Sequence, residues 1–230
     1  MRKNIIALSL LCMIALSSCY FESDPIILDT SKEYSLYDYY EDELGNKGIV
    51  AYVEESSFII VLSLDETEAA WGPMGEMVYD SSNFSAHIVT NCFGLAVLQN
   101  MKAKNIERFP AQAWCDRKNG TDTYPNVASW RLPSDFEMFL IYNNSQAAVN
   151  RLNYYIGRAG GDLIGKDKLY WTCMEDFDNY CFVVNQPPDF DAENRAIAKS
   201  PINRVYADKD LWIKKKVNYV RAIKYIYYCL

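Results

Sequence analysis

The chain has 230 residues, of which 50% are hydrophobic, so it can bury the core of one domain and still carry a terminal extension. Its formal net charge of -7 at pH 7 argues against a nucleic-acid partner, because phosphates require clustered lysine and arginine. The one basic run, Lys214-Lys215-Lys216, is interpreted as a solvated strand edge or turn.

The N-terminus has the parts of a cleavable export signal. Arg2 and Lys3 supply positive charge, and the apolar stretch over 5–16 is shorter than the about 20 residues that cross a membrane. The following Leu16-Ser17-Ser18-Cys19 resembles the lipobox of bacterial lipoproteins, in which the cysteine receives a diacylglycerol and becomes the new N-terminus. The resemblance predicts a signal peptide over 1–18 and lipidation of Cys19, with palmitate-type acyl chains that anchor the chain in a membrane.

A lipidated tether is expected over 19–45, followed by a domain over 46–230. Glu22 and Asp24, close to the lipid, resemble the surface-export signal of Bacteroides-like lipoproteins and favour an outer-membrane protein displayed on the cell surface. The same segment carries several tyrosines, which are expected to pack on the domain as an edge segment. These are Tyr34, Tyr37, Tyr39 and Tyr40.

Two helices and several strands are expected in the domain. The short β-branched runs 48–53 and 58–62 predict a hairpin, and a loop is expected over 65–75. Apolar spacings of three and four predict a helix over 85–103, and Ser134 three residues before Glu137 predicts a capping box for a second helix. Strand-like runs close the chain at 169–173, 180–185 and 217–228, with a loop over 186–199. This order of elements favours an α+β domain with an antiparallel sheet.

Five short phrases then align in order with a known bacterial family. They are Gly48-Ile49-Val50-Ala51-Tyr52, Leu62-Ser63-Leu64-Asp65, Trp130-Arg131-Leu132-Pro133, Tyr170-Trp171-Thr172 and Val220-Arg221-Ala222-Ile223-Lys224. Together they resemble the WRLP, YWSS and VRAVR phrases of the C-terminal domain of a collagen-like bacterial adhesin, a family common in Bacteroides lipoproteins. The resemblance implies a C-type-lectin-like fold with two helices, a small twisted antiparallel sheet and long loops. The sequence departs from the family at Thr172-Cys173, where two serines are usual.

The motif residues are interpreted as structural. Trp130 and Trp171 are expected to anchor the core, since a buried indole needs one partner for its N–H. Arg131 is expected to pair with Asp135 or Glu137 in the acidic first turn of the second helix. Arg221 is expected to find a carbonyl or carboxylate partner, because buried polar groups must be paired.

An odd number of cysteines remains for the mature domain. Two of the seven are set aside, Cys12 in the signal and the lipidated Cys19, and the others are Cys92, Cys115, Cys173, Cys181 and Cys229. Five thiols leave at least one unpaired within the chain. The lectin-like resemblance implies a disulfide between Cys92 and Cys229, and the polar turn between Cys173 and Cys181 suggests a second pair.

No cofactor or metal site is expected. No two cysteines have CxxC spacing, and the only histidine, His87, is interpreted as a packed or surface side chain. Calcium-dependent lectins use a Glu-Pro-Asn or Gln-Pro-Asp loop, whereas this chain has Gln186-Pro187-Pro188-Asp189 and no Trp-Asn-Asp strand. Calcium is therefore not carried over from the wider fold.

The leading functional hypothesis is a noncatalytic binding or adhesion module for a glycan, matrix polymer or protein. Contact loops are expected over 65–79, 116–128 and 186–210, where the candidate ligand-stacking residues are Trp71, Tyr124, Phe190 and Tyr206. The alternative is a structural subunit of a surface fimbria or lipoprotein complex. An enzyme is not expected, because Ser-His or Cys-His catalysis would depend wholly on His87.

Overall fold

The structure is a computed structural model that describes residues 33–55, 57–78, 90–121, 125–126, 128–143, 145–176, 180–184 and 213–228, with only the backbone at 90–93, 176 and 180–184. Within these ranges the elements follow in chain order as β1 (Tyr39–Glu41), β2 (Lys47–Glu54), β3 (Phe58–Ser63), β4 (Thr67–Ala70), α1 (Thr90–Ala103), α2 (Pro110–Arg117), α3 (Asp135–Tyr142), α4 (Gln146–Arg158), β5 (Tyr170–Asp176), β6 (Tyr180–Val184), β7 (Val217–Val220) and β8 (Ile223–Tyr227). A short 3-10 helix, Ile106–Arg108, precedes α2.

The first sheet, sheet A, has the strand order β1-β2-β3-β8, and all its strand pairs are antiparallel. The predicted hairpin is confirmed, with Glu54 opposite Phe58 beside the turn. β1 lies at the edge of this sheet, as expected for an edge segment. Tyr40 is only 7% exposed and Tyr37 stacks on Tyr155, whereas Tyr39 is 42% exposed, so the expected packing holds for part of the tyrosine segment. The fold therefore includes residues N-terminal to position 46, where the sequence predicted the start of the domain.

A second sheet, sheet B, has the order β4-β7-β5-β6 and differs from the single antiparallel sheet expected from the sequence. β5 and β7 are parallel neighbours in it. The run 217–228, predicted as one strand, is divided between β7 in sheet B and β8 in sheet A. Arg221 and Ala222 lie between the two strands with buried side chains, and they mark the crossing from one sheet to the other. The predicted loop over 65–75 contains β4, which pairs with β7.

Four α-helices occupy the described residues, where two were expected. Helix α3 has the predicted capping box: Ser134 Oγ accepts from Glu137 N at 3.2 Å, and a Glu137 carboxylate oxygen accepts from Ser134 N at 2.6 Å. Helix α1 begins at Thr90 in the described residues, and positions 85–89 of its predicted range lie outside them. Helix α4 was missed, although Val149, Leu152 and Ile156 form a buried stripe at helical spacing.

Sheet A is the central layer and is buried on both faces. Successive residues of β3 alternate between two clusters, with Ile59 and Val61 in one and Ile60 and Leu62 in the other. The first cluster also receives side chains from α1, α2 and sheet B, and the second from α3 and α4. The domain is thus a layered α+β structure. No helix in the part of the chain that the structure describes is long and apolar enough to cross a membrane.

Candidate functional site

Arg131 and Glu137 form a fully buried ion pair. The guanidinium makes two parallel hydrogen bonds to the carboxylate, at 2.6 and 2.9 Å, and the two side chains are 1% and 0% exposed. The predicted pairing with the first turn of α3 is therefore confirmed, with Glu137 as the partner. The guanidinium packs against Gly94 in α1, where a Cβ atom would come within 2.5 Å of Arg131 Nη1. Glycine at this position lets α1 approach the ion pair.

Arg221 has both of the partner types expected for it. It donates to the carbonyl oxygen of Ser63 at 3.1 Å and to the Glu66 carboxylate at 2.7 Å. Glu66 also accepts hydrogen bonds from Lys168 and Tyr170. Burial opposes ionisation of Glu66, but the hydrogen bonds from Arg221 and Lys168 outweigh it, and the pKa of this carboxyl is lowered from its ordinary value. The network ties β4 to the point where the chain crosses between the sheets.

The motif tryptophans are fully buried, and each indole N–H has an acceptor. Trp130 donates to Asp42 Oδ2 at 2.8 Å, and Trp171 donates to the carbonyl oxygen of Ala69 at 2.9 Å. Burial raises the pKa of Asp42, but the hydrogen bonds from Trp130 and Asn46 lower it by more, so the net shift of the pKa is downward. The tryptophans and both motif arginines therefore stabilise the fold and present no surface to a ligand.

The prediction that Trp71 stacks on a ligand is wrong. Its ring is 0% exposed, its Nε1 donates to the carbonyl oxygen of Thr172 at 2.9 Å, and it packs edge-on against Phe109. No face of the indole is left for a ligand. The other proposed stacking residues, Tyr124, Phe190 and Tyr206, lie outside the described residues, as do Cys19 and His87.

The basic run over 214–216 forms a turn, but Lys214 is not solvated as predicted. Its amino group is buried and donates to Glu175 Oε1 at 2.5 Å and to the carbonyl oxygen of Glu76 at 2.7 Å. It also lies 4.7 Å from the centre of the Trp71 ring, which adds a cation–π contact. The three lysines are adjacent and look equivalent in the sequence, and only the tertiary contacts of Lys214 show that it is the buried one.

The predicted disulfide between Cys173 and Cys181 is wrong. Cys173 is a free, buried thiol, and the cross-strand partner of Cys181 in the β5–β6 ladder is Glu175. Cys115 is also free and buried. The side chains of Cys92 and Cys229, which the lectin-like resemblance pairs, lie outside the described residues.

A polar cleft of about 330 Å³ opens at one end of sheet A. Four separate segments converge on it: the β1–β2 turn, the residues after β3, the end of α2 and the residues after α4. Its lining residues are Gly45, Asn46, Lys47, Leu64, Asp65, Lys118, Ala159, Gly160, Gly161 and Asp162. Their formal charges balance, with two lysines and two aspartates. Sequence reasoning missed this site, because these residues carry no shared motif and only folding brings them together.

The ion pair between Lys118 and Asp65 forms one side of the cleft. Lys118 Nζ contacts both carboxylate oxygens of Asp65, at 2.7 and 2.6 Å, and lies 4.4 Å from the centre of the Trp114 ring. The Lys118 side chain is 10% exposed, whereas that of Asp65 is 54% exposed and remains open to a ligand. Among the residues that the structure describes, no group of three or more His, Cys, Asp or Glu side chains is placed to hold a metal ion.

Comparisons with known proteins identify a structure of similar fold. No family model and no curated protein matches the sequence. The fold is similar to that of a fimbrial protein from Bacteroides ovatus, with a TM-score of 0.56 and 13% sequence identity. The match covers 83% of this chain and 48% of the other, so the chain spans about half the length of the structure that it resembles. The likeness shows a shared fold.

Proposed function

We propose that the protein is an exported lipoprotein, anchored to the outer membrane through Cys19, and that it acts without catalysis as a subunit of a fimbria-like surface structure or lipoprotein complex. The observation that carries this proposal is the structural likeness to the Bacteroides fimbrial protein. The lipobox-like Leu16-Ser17-Ser18-Cys19 supplies the anchor.

Lipid attachment is tested by the matched variants Cys19→Ala and Cys12→Ala. Cys19→Ala should abolish the acyl mass on the mature N-terminus and release the protein from the membrane fraction. Cys12→Ala, inside the predicted signal peptide, should leave both properties unchanged. An unacylated wild-type terminus in the mass spectrum would remove the anchor from the proposal.

Surface assembly is tested by protease shaving of intact cells, with a known periplasmic protein as the protected control. Cleavage of this protein in intact cells, together with its crosslinking into particles larger than a monomer, is the expected result. Protection from protease, or a monodisperse monomer without copurifying proteins, would contradict the subunit role.

A second candidate is a noncatalytic module that binds a glycan, a matrix polymer or a protein. The observation that favours it is the polar cleft at the end of sheet A. The proposed relation of this chain to the C-type-lectin-like family favours this candidate. It is supported by the five sequence phrases, several of whose residues pack in the core on either side of sheet A. Retention of the purified monomer on immobilised glycans would favour this candidate over the subunit role.

A further inference from the structure

The cleft lies at the end of sheet A away from the β2–β3 turn. Lys47 is the first residue of β2, Leu64 directly follows the last residue of β3, and both line the cleft. At about 3.3 Å per residue, the length of β2 places the cleft about 25 Å from the turn.

The groups in the cleft can both donate and accept hydrogen bonds. Lys47 and Lys118 supply donors, whereas Asp65 and Asp162 supply acceptors, and the formal charge of these four side chains sums to zero. A phosphate or a metal ion would need an excess of one sign. A lipid or aromatic ligand would need apolar walls, and Leu64 and Ala159 are the only apolar side chains among the lining residues. Hydroxyl groups match this lining, because each one can donate and accept.

The cleft also presents backbone where side chains would obstruct a ligand. Gly45 and Gly160 have φ values of 79° and 74°, a conformation that favours glycine, and neither has a neighbouring atom where a Cβ would stand. Gly161 is held differently, since a Cβ there would come within 2.8 Å of the Leu64 side chain. Because these glycines have no side chains, one side of the cleft exposes backbone that a ligand can approach closely. The volume of about 330 Å³ is at the small end of the range for ligand sites.

We propose that this cleft binds a neutral saccharide of one or two sugar units, held by Lys47 and Asp65. The inference rests on the binding role given as the second candidate function and names its site and ligand class. Lys47 is exposed and forms no ion pair within the described residues, so its amino group is available to a sugar hydroxyl. Asp65 keeps acceptor capacity beyond its contacts with Lys118, because a carboxylate has about four lone-pair sites.

Glycine-selective NMR provides a direct test. The chain has ten glycines, so labelling with ¹⁵N-glycine yields ten backbone amide signals, three of which come from the cleft. The mature lipoprotein is kept in a detergent without a sugar headgroup and titrated with neutral disaccharides built from glucose, galactose, mannose and N-acetylglucosamine. Saturable shifts of Gly45, Gly160 and Gly161, without shifts of the distant Gly75 and Gly94, are expected for at least one disaccharide.

Matched lysine variants identify the site. Lys47→Ala should weaken the affinity about tenfold, because a hydrogen bond from a charged donor is lost. Lys215→Ala, at an exposed lysine outside the cleft, should bind as the wild type does. Absence of any cleft shift at high disaccharide concentration, shifts located elsewhere, or equal binding by the two variants would overturn the proposal. A response to acidic disaccharides alone would overturn the neutral ligand class. Retention of the purified protein on immobilised glycans tests the binding role by itself, so retention without cleft shifts would overturn this site and leave the binding role standing.

Discussion

Replacing Gly94 by alanine should destabilise the protein, although the same change inside a helix ordinarily stabilises it. Alanine is favoured over glycine by about 1 kcal/mol in a helix interior. At Gly94, however, the added Cβ would stand 2.5 Å from Arg131 Nη1 and 2.7 Å from its Cζ. Both distances are well inside van der Waals contact, so either α1 or the guanidinium must move.

The Arg131 guanidinium cannot easily move away from an added Cβ, because two hydrogen bonds hold it to the buried Glu137 carboxylate. Overpacking of this kind costs about 1–3 kcal/mol, and distortion of the ion pair adds to that cost. After subtraction of the helix-propensity gain, we expect Gly94→Ala to lower the free energy of unfolding by about 2 kcal/mol. For a chain of this size the loss corresponds to a decrease in Tm of about 4–8 °C.

Gly157→Ala is the matched control, because Gly157 lies in the last turn of helix α4 and is exposed. Its Cβ would meet Leu163 at 3.4 Å, which is an ordinary contact. This variant should raise Tm by about 1–3 °C through helix propensity alone. Thermal and urea unfolding of both variants, followed by circular dichroism, provide the measurement. Stabilisation by Gly94→Ala equal to that by Gly157→Ala would refute the close packing of Arg131 on α1.

Three further predictions concern buried ionisable groups. Arg131→Met leaves the Glu137 carboxylate buried without its cation, and urea denaturation should show a loss of about 3–5 kcal/mol, whereas a loss below about 1 kcal/mol would contradict the buried pair. Because the folded pKa of Glu66 is lowered, its ionised form stabilises the fold above its ordinary pKa near 4.5, and this contribution is lost as pH falls through the folded value. Stability should therefore fall more steeply between about pH 5 and about pH 3 in the wild type than in Glu66→Gln, and parallel pH profiles would exclude this role. Burial raises the pKa of the Cys115 and Cys173 thiols, so peptide mapping after iodoacetamide treatment should find both labelled only in denaturant, and labelling in the native protein would show that they are accessible.

Local sequence signals predicted several elements correctly. The β2–β3 hairpin follows from two short β-branched runs, and α3 follows from Ser134 and Glu137 at capping-box spacing. The Arg131–Glu137 pair could also be anticipated, because Arg131 lies shortly before α3 and Glu137 lies six positions later in the first turn of that helix. In each case the interacting groups are close in sequence, so tertiary packing had little freedom to place them elsewhere.

Errors arose where distant segments determine a residue's environment. Lys214 is buried because Glu175 and the carbonyl oxygen of Glu76 meet it from other parts of the chain. Trp71 looked like a loop residue open to ligands, but Thr172 and Phe109 enclose it. Neither contact leaves a periodic signal in the sequence.

The sequence by itself determined the lipobox-like N-terminus, the acidic charge, the mixed α+β character and the elements with local caps or alternation. Tertiary structure alone decided that the last strand-like run divides between two sheets, with Arg221 at the crossing, and that Lys47, Asp65, Lys118 and Gly160 meet in one cleft. The physical reason is that patterning specifies which face of an element is buried, whereas its partner depends on how all the elements pack together. A site made from four separated segments forms only when that packing is complete.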